Sequence, residues 1–136
     1  MKISFSVVGE PAPQGSKRNV GHGIMIEASK AVKPWREAVK WAAVEAIAGR
    51  PRPLLGSAKG AALFLEVEFF LRRPKSVKDK YPGKRPDIDK LLRSTMDALT
   101  QAGVYRDDSQ VVDTHMSKRY ADSTRSVGAY ITVEEL

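Results

Sequence analysis

The sequence contains no cysteine, only two histidines, and no apolar run long enough to cross a bilayer. Without cysteine, the chain cannot form disulfides or thiolate zinc sites, and it has no cysteine nucleophile. Residues 1–8 alternate between polar and apolar positions, which is typical of a strand and not of a signal peptide. We therefore expect a cytoplasmic protein with no membrane partner.

The charge of the chain is strongly positive. Its 136 residues include 23 lysines and arginines against 16 aspartates and glutamates, which gives a net charge of +7. Such a surface favours a polyanionic partner, and nucleic acid is the first candidate. A chain of this length can bury a core of its own, so we expect a single domain over residues 1–136.

Hydrophobic periodicity predicts the order strand, helix, strand, helix, strand, strand. The predicted helices cover residues 33–48 and a second segment that begins at Asp87 and ends at Gly103. The predicted strands are 2–8, 61–71, 110–120 and 126–134, with a further extended piece at 23–27. We expect 61–71 at the centre of the sheet and the last two strands to pair as a hairpin. These elements predict an α/β fold in which two main helices pack against a mixed β-sheet.

The aromatic and histidine residues give weaker signals. Trp35 and Trp41 lie on the first predicted helix, where a core or dimer contact is a simpler use than stacking on exposed bases. His115 is expected to be an ordinary strand residue, and His22 a surface residue between glycines. We therefore leave these four side chains out of the candidate site.

The second helix has a buried and a charged face. Asp87 follows Pro86 and is an N-cap candidate. The apolar stripe of this helix is formed by Ile88, Leu91, Leu92, Thr95 and Leu99. Its opposite face carries charges at successive i, i+4 positions, namely Asp89, Arg93 and Asp97.

Carboxylates lie at both ends of this helix. Asp87 and Asp89 are at its start, and Asp107 and Asp108 are in the turn that follows it. If the chain folded the turn back towards the helix start, these hard oxygen ligands would suit Mg²⁺ or Mn²⁺. The alternative is purely structural, because Asp also caps helices, favours the helix dipole and stabilises turns. Spacing alone leaves both interpretations open.

Cations lead the chain into the first acidic pair. Residues 72–85 contain seven basic residues and one acid. A solvated loop would explain this composition, but cations beside metal-binding acids also suit a phosphate backbone. A second basic loop follows the first strand. The predicted DNA-binding residues are Lys17, Arg18, Arg72, Arg73, Lys75, Lys84, Arg85 and Lys90.

One longer pattern makes the functional interpretation more specific. It consists of Asp87-x-Asp89, Arg93, Asp97-Ala98-Leu99-Thr100, Ala102-Gly103 and Asp107-Asp108-x-Gln110-Val111-Val112-Asp113. This pattern resembles the RusA family of Holliday junction resolvases over residues 85–113, about a fifth of the chain. Members of that family are small homodimeric Mg²⁺-dependent endonucleases that cut four-way DNA junctions, and they are often carried by phages and prophages.

The resemblance implies roles for individual residues. Asp87, Asp89 and Asp108 match the metal-binding acids of the family, and Asp107 lies beside the last of them. Lys90 stands where many members have Asn, and Arg93 stands where a catalytic Lys is usual. Arginine keeps the positive charge but cannot donate a proton near neutral pH, so Arg93 is expected to clamp a phosphate.

We therefore expect an endodeoxyribonuclease that resolves four-way junctions by paired symmetric nicks, with Mg²⁺ as cofactor and Mn²⁺ as a substitute. The expected catalytic residues are Asp87, Asp89, Asp108 and Arg93, and the expected partners are branched DNA and a second copy of the chain. The alternatives are a non-catalytic branched-DNA-binding protein and an interaction module for an acidic protein.

Overall fold

The computed structural model describes residues 1–15 and 30–136, together with the backbone of residues 17–19 and 25–27. In order along the chain, the elements of this part are β1 (Lys2–Val8), β2 (Lys17–Asn19), β3 (Met25–Glu27), α1 (Val32–Ile47), β4 (Leu63–Leu71), α2 (Ile88–Ala102), β5 (Val111–Tyr120) and β6 (Gly128–Glu135). A 3₁₀ turn at Asp108–Gln110 connects α2 to β5.

The main sheet has four strands in the order β1-β6-β4-β5. β4 pairs antiparallel with β6 and parallel with β5, which confirms both the mixed sheet and the central position predicted for the most apolar strand. β2 and β3 form a separate antiparallel pair. The extended piece predicted at 23–27 is therefore a strand at Met25–Glu27, while His22 and residues 23–24 lie outside the described residues.

The predicted hairpin between the last two strands is wrong. β5 and β6 both pair with β4, one on each side, so the connection between them passes over the end of the central strand. This arrangement places β4 in the interior of the sheet, where Leu65, Val67 and Phe69 are fully buried. Alternation within β5 and β6 predicts that each is a strand, but it does not say which strand is its neighbour.

Both helices pack on the face of the sheet that β1, β4 and β6 bury. α1 contributes Trp35, Val39, Ala43 and Ile47 to the core. The face of α2 predicted to be buried carries Leu91, Leu92, Thr95 and Leu99, all of them buried, beside a half-buried Ile88. The Trp35 ring nitrogen Nε1 donates a hydrogen bond to Thr95 Oγ1 at 3.2 Å, so the two helices are joined inside the core. The predicted α/β fold is therefore confirmed.

The second tryptophan does not belong to the core. Trp41 is 60% exposed on α1 and donates a hydrogen bond to Glu37, one turn away. The core contact predicted for it is therefore wrong, because the apolar stripe of α1 passes through Trp35 and leaves Trp41 on the outer face. A contact with a second copy stays a prediction. Within the described residues, no helix is both long and apolar enough to cross a membrane.

Candidate active site at the two ends of helix α2

The first acidic pair lies at the start of α2. Asp87 occupies the N-cap position with extended backbone angles, but its side chain accepts no capping hydrogen bond. Instead, Asp87 Oδ2 lies 3.5 Å from the ammonium nitrogen of Lys90, one turn further along. Asp89 is exposed in the first turn and makes no hydrogen bond or ion pair with any residue that the structure describes. Neither Asp87 nor Asp89 therefore uses its side chain as a helix cap.

The second acidic pair divides between two roles. Asp107 caps the 3₁₀ turn, because its Oδ1 accepts a hydrogen bond from the Ser109 amide at 2.8 Å and Gln110 completes a capping box. These hydrogen bonds from Ser109 hold the pKa of the Asp107 carboxyl below its usual value. Asp107 therefore follows the structural interpretation, and its carboxylate stays charged.

Asp108 points towards the helix instead. Its Oδ1 accepts a hydrogen bond from Thr100 Oγ1 at 2.5 Å, and the Tyr105 hydroxyl lies 3.2 Å from the same oxygen. Burial and the neighbouring Asp108 charge raise the pKa of Tyr105, so its hydroxyl stays protonated and can donate. The other carboxylate oxygen, Oδ2, has no hydrogen bond with a described residue. Asp108 is thus held at one oxygen and open at the other, as a metal ligand would be.

The two acidic pairs are far apart in one chain. Asp89, Arg93, Met96 and Thr100 follow one another at intervals of four, three and four residues, so they form one stripe along α2. The eleven residue steps from Asp89 to Thr100 correspond to roughly 16 Å along the helix axis. In the described part of the chain, no group of three acidic, histidine or cysteine residues lies close enough to hold a metal ion. The chain therefore carries half of the expected ligand set at each end of this stripe.

A loop after β1 crosses the middle of α2. The Gln14 amide donates to the Lys90 carbonyl at 3.0 Å, and its side chain donates to Asp97 Oδ2 at 2.5 Å. The next residue, Gly15, lies against the Arg93 guanidinium so closely that any side chain there would collide with it. Gly15 also has a φ of +102°, a conformation that other residues rarely adopt. This loop therefore lies directly against Arg93, the cation between the two acidic pairs.

The predicted basic residues lie mostly on the surface before α2. Arg72 forms an ion pair with Glu10 at 2.6 Å between exposed side chains. Arg73 is anchored by the Asp79 carbonyl at 2.6 Å and by stacking over the Tyr120 ring. Lys75, Lys84 and Arg85 are exposed and Lys90 is half-buried. Lys17 and Arg18 are in β2, and their side chains lie outside the described part.

Strand β5 connects the two ends of the stripe. It starts at Val111, directly after the 3₁₀ turn that contains Asp108. Near its other end, the Lys118 ammonium donates to the carbonyls of Lys84 and Pro86 at 2.7 and 2.9 Å, just before α2 begins. β5 thus runs in the opposite direction to α2. Among the described strands it pairs only with β4, so its other edge is open, and Val112 at its start is 64% exposed.

Sequence reasoning missed the side chains that support the candidate site. Thr100 and Tyr105 hold Asp108, Gln14 connects the loop to Asp97, and Lys118 fixes the approach to α2. Thr100 lies on the charged stripe at helical spacing from Arg93 and Asp89, which is a usable signal. Tyr105 lies three residues after the end of α2, but no local pattern marks it. Gln14 and Lys118 reach α2 from distant segments, and no local pattern marks them either.

Comparisons with known proteins agree with this picture. The family model described as endodeoxyribonuclease RusA matches residues 8–134. The uncharacterized protein YqaN of Bacillus subtilis (strain 168) is 30% identical in an alignment that covers 90% of this chain and 91% of that protein. The match thus extends over nearly the whole chain, well beyond the stretch 85–113.

Proposed function

Because the chain belongs to the RusA family of endodeoxyribonucleases, we propose that it is a metal-dependent nuclease that resolves four-way DNA junctions by two symmetric nicks. The observation that carries this proposal is the state of the three acids. Asp87, Asp89 and Asp108 each keep carboxylate oxygens that serve no cap or turn, whereas Asp107 is used as a cap. Free hard oxygens beside phosphate-binding cations suit a divalent metal and a nucleic acid.

The separation of the acids supports an active site shared by two copies of the chain. Mg²⁺ holds its oxygen ligands at about 2.0–2.1 Å, so two ligands of one ion lie within roughly 4 Å of each other. Asp89 and the Thr100 end of the stripe are roughly 16 Å apart along the axis. One ion therefore cannot take ligands from both ends of a single chain, and a homodimer would have to complete the set.

The open edge of β5 supports one arrangement of this homodimer. Two copies that pair antiparallel along β5 would place the start of each strand beside the end of the other. β5 starts three residues after Asp108, and Lys118 near its other end contacts the Pro86 carbonyl, so Asp108 of one copy would then approach Asp87 and Asp89 of the second copy. An exposed edge strand with an exposed Val112 is otherwise an aggregation hazard. A two-fold dimer of this kind has two identical sites, as two symmetric nicks require.

The chemistry divides between the bound ion and the side chains. Mg²⁺ or Mn²⁺, when bound, would lower the pKa of a coordinated water and neutralise charge on the phosphate. Asp87, Asp89 and Asp108 would hold the ion, with Asp107 assisting through its negative charge. Arg93, which lies against Gly15, would stabilise charge that develops on the phosphoryl oxygens.

The basic surface would position the DNA backbone. The exposed ion pair between Arg72 and Glu10 is worth only about 0–1 kcal/mol, so Arg72 can exchange it for a phosphate. Lys75, Lys84, Arg85 and Lys90 extend this surface to the start of α2, and the prediction for Lys17 and Arg18 stands beside it. We keep the cytoplasm as the expected compartment and a phage or prophage origin as a further prediction.

The charge-removing variant Asp89→Asn tests the metal-binding role. We expect it to abolish cleavage of a synthetic four-way junction in Mg²⁺ while junction binding in EDTA is kept or tightened, because a ligand and a negative charge are both lost. Glu45→Gln is the control, since it removes one exposed negative charge on α1, outside both the site and the basic surface. A variant Asp89→Asn that cuts the junction as fast as Glu45→Gln would remove Asp89 from the site.

A second candidate function is a branched-DNA-binding protein without nuclease activity. The separation of the acids in one chain favours it if the chain works as a monomer, and so does arginine at position 93. This alternative predicts junction binding that Mg²⁺ does not change, and no cleavage at any Mg²⁺ or Mn²⁺ concentration.

A further inference from the structure

A cleft of about 820 Å³ opens beside the start of α2. Its apolar walls are formed by Pro11, Ala12, Pro13 and Pro86. Its volume lies in the range of about 300–1,000 Å³ that small-molecule sites occupy, which is ample for one nucleoside. None of the roles assigned above to the acids, to Arg93 or to the basic surface uses these apolar walls.

The wall of the cleft formed by residues 11–14 is held in place by hydrogen bonds before any ligand binds. The Ser94 hydroxyl donates to the Ala12 carbonyl at 2.7 Å in a buried hydrogen bond, and the Gln14 amide donates to the Lys90 carbonyl at 3.0 Å. The proline rings add rigidity because each one fixes its own backbone φ. The wall therefore needs little ordering when a ligand enters, which lowers the entropic cost of binding.

The polar residues of the cleft indicate what kind of ligand suits it. Arg85 and Lys90 line it together with Asp87, and the Lys90 ammonium lies 3.5 Å from the Asp87 carboxylate. A ligand matched to this lining has an apolar, flat part for the prolines and an anionic group for the two cations. A nucleoside attached to a backbone phosphate has both parts.

The position of the cleft relates it to the cutting site. Asp87 belongs both to the cleft lining and to the proposed metal ligands, so a phosphate at the metal would lie at the mouth of the cleft. The cleft also contains Ala31, at the start of α1, and hence lies on the side of α2 that faces α1. The open edge of β5 lies on the other side, so a second copy docked there would leave the cleft accessible.

We propose that this cleft receives the nucleoside next to the scissile phosphate, with its base removed from the stack. The inference rests on the proposed function, because it takes the scissile phosphate to lie near Asp87. Bases at the exchange point of an open four-way junction lack a stacking neighbour on one side, so they are easier to unstack than bases inside a continuous duplex. Occupation of the cleft would thus favour a junction over a continuous duplex.

Fluorescence of 2-aminopurine tests this inference. Stacking quenches this base analogue, so a base that leaves the stack becomes brighter. Junctions carrying 2-aminopurine at each nucleotide around the exchange point are saturated with protein in EDTA, where no cutting occurs. We expect the wild-type protein to raise the fluorescence at least twofold at one position, and to leave a duplex with the same base unchanged.

Variants at Ala31 separate insertion from a general distortion of the junction. Ala31 lines the cleft and is exposed, so Ala31→Leu narrows the cleft without changing the core. At saturating protein, Ala31→Leu should lose the fluorescence increase, whereas Ala31→Ser should keep it. The control Ala58→Leu adds the same bulk at another exposed alanine and should behave as the wild type.

The outcomes separate the two proposals. A fluorescence increase that survives in Ala31→Leu, or that is absent at every position for the bound wild-type protein, would overturn the cleft assignment. Cleavage of the unlabelled junction by the wild-type protein in Mg²⁺ is measured in parallel. If the wild-type protein does not cleave the junction, the proposed function is contradicted. The fluorescence is measured in EDTA and therefore tests the cleft assignment independently of cleavage.

Discussion

Mixing two inactive variants should restore cleavage if each active site takes acids from two chains. Asp89→Asn removes a ligand at the start of α2, and Asp108→Asn removes one near its end. Each variant alone has no complete site. In a mixed dimer, however, one site contains both substitutions and the other site contains neither.

The expected magnitude follows from the geometry and from symmetry. Roughly 16 Å along α2 separates two groups that one Mg²⁺ could join only within roughly 4 Å, so a site within one chain is excluded by a wide margin. Random exchange of subunits makes about half of the dimers mixed, and each of these has one intact site out of two. The unpurified mixture should therefore contain about one quarter of the wild-type number of sites, and dimers purified through two different tags should contain about one half.

The assay uses two tagged variants that are unfolded and refolded together, or coexpressed, and then purified through both tags. Junction cleavage in Mg²⁺ is followed on denaturing gels with each strand labelled separately. The mixed dimer should nick one strand of a pair and not produce the symmetric double cut. If the doubly tagged dimer is as inactive as its parents, the shared site is refuted. Activity in either parent alone would instead show that the substituted acid is dispensable.

Three further predictions follow from individual contacts. Arg93→Lys should keep junction cleavage within about tenfold, whereas Arg93→Met should lose about a hundredfold with binding retained, because the charge acts on the transition state; equal cleavage by both would refute the phosphate-clamping role. Thr100→Val should lower the free energy of unfolding, measured with urea, by about 1–2 kcal/mol and should slow cleavage, because it removes the hydrogen bond to Asp108. The control Thr132→Val loses an exposed hydrogen bond to Ser4 and should not slow cleavage. Asp107→Ala should lower the melting temperature at pH 7, because the capping hydrogen bonds favour the charged form of Asp107 in the folded protein. The difference in melting temperature from the wild type should shrink as the pH falls through the folded pKa of Asp107, which lies below the usual 3.8. A difference that does not change with pH would show that the charged cap is not its cause.

Local pattern was sufficient where a single segment determines its own structure. The apolar stripe of α2 and the glycine after it predict the helix, and Gly103 indeed has the left-handed conformation that ends it. The continuous apolar run 61–71 predicts a central strand, and β4 is paired on both sides. In each case the buried residues and the local propensity agree.

Pairing between distant segments was beyond the reach of the sequence. The alternation in β5 and β6 suits a hairpin as well as it suits two strands separated by β4, so the wrong partner was inferred. The same ambiguity affected the acids. Sequence alone leaves open whether Asp108 returns to Asp87 or stays at the far end of α2, and only the hydrogen bonds from Thr100 and Tyr105 place it.

The central claim is tested most directly by incubating the purified protein with a synthetic four-way junction and a matched linear duplex, each in Mg²⁺ and in EDTA. We expect paired symmetric nicks in the junction, only in the presence of Mg²⁺, and no cutting of the duplex. Tight binding to the junction, together with no cleavage of either substrate in Mg²⁺ or in EDTA, would contradict nuclease activity. That result would support a protein that only binds branched DNA.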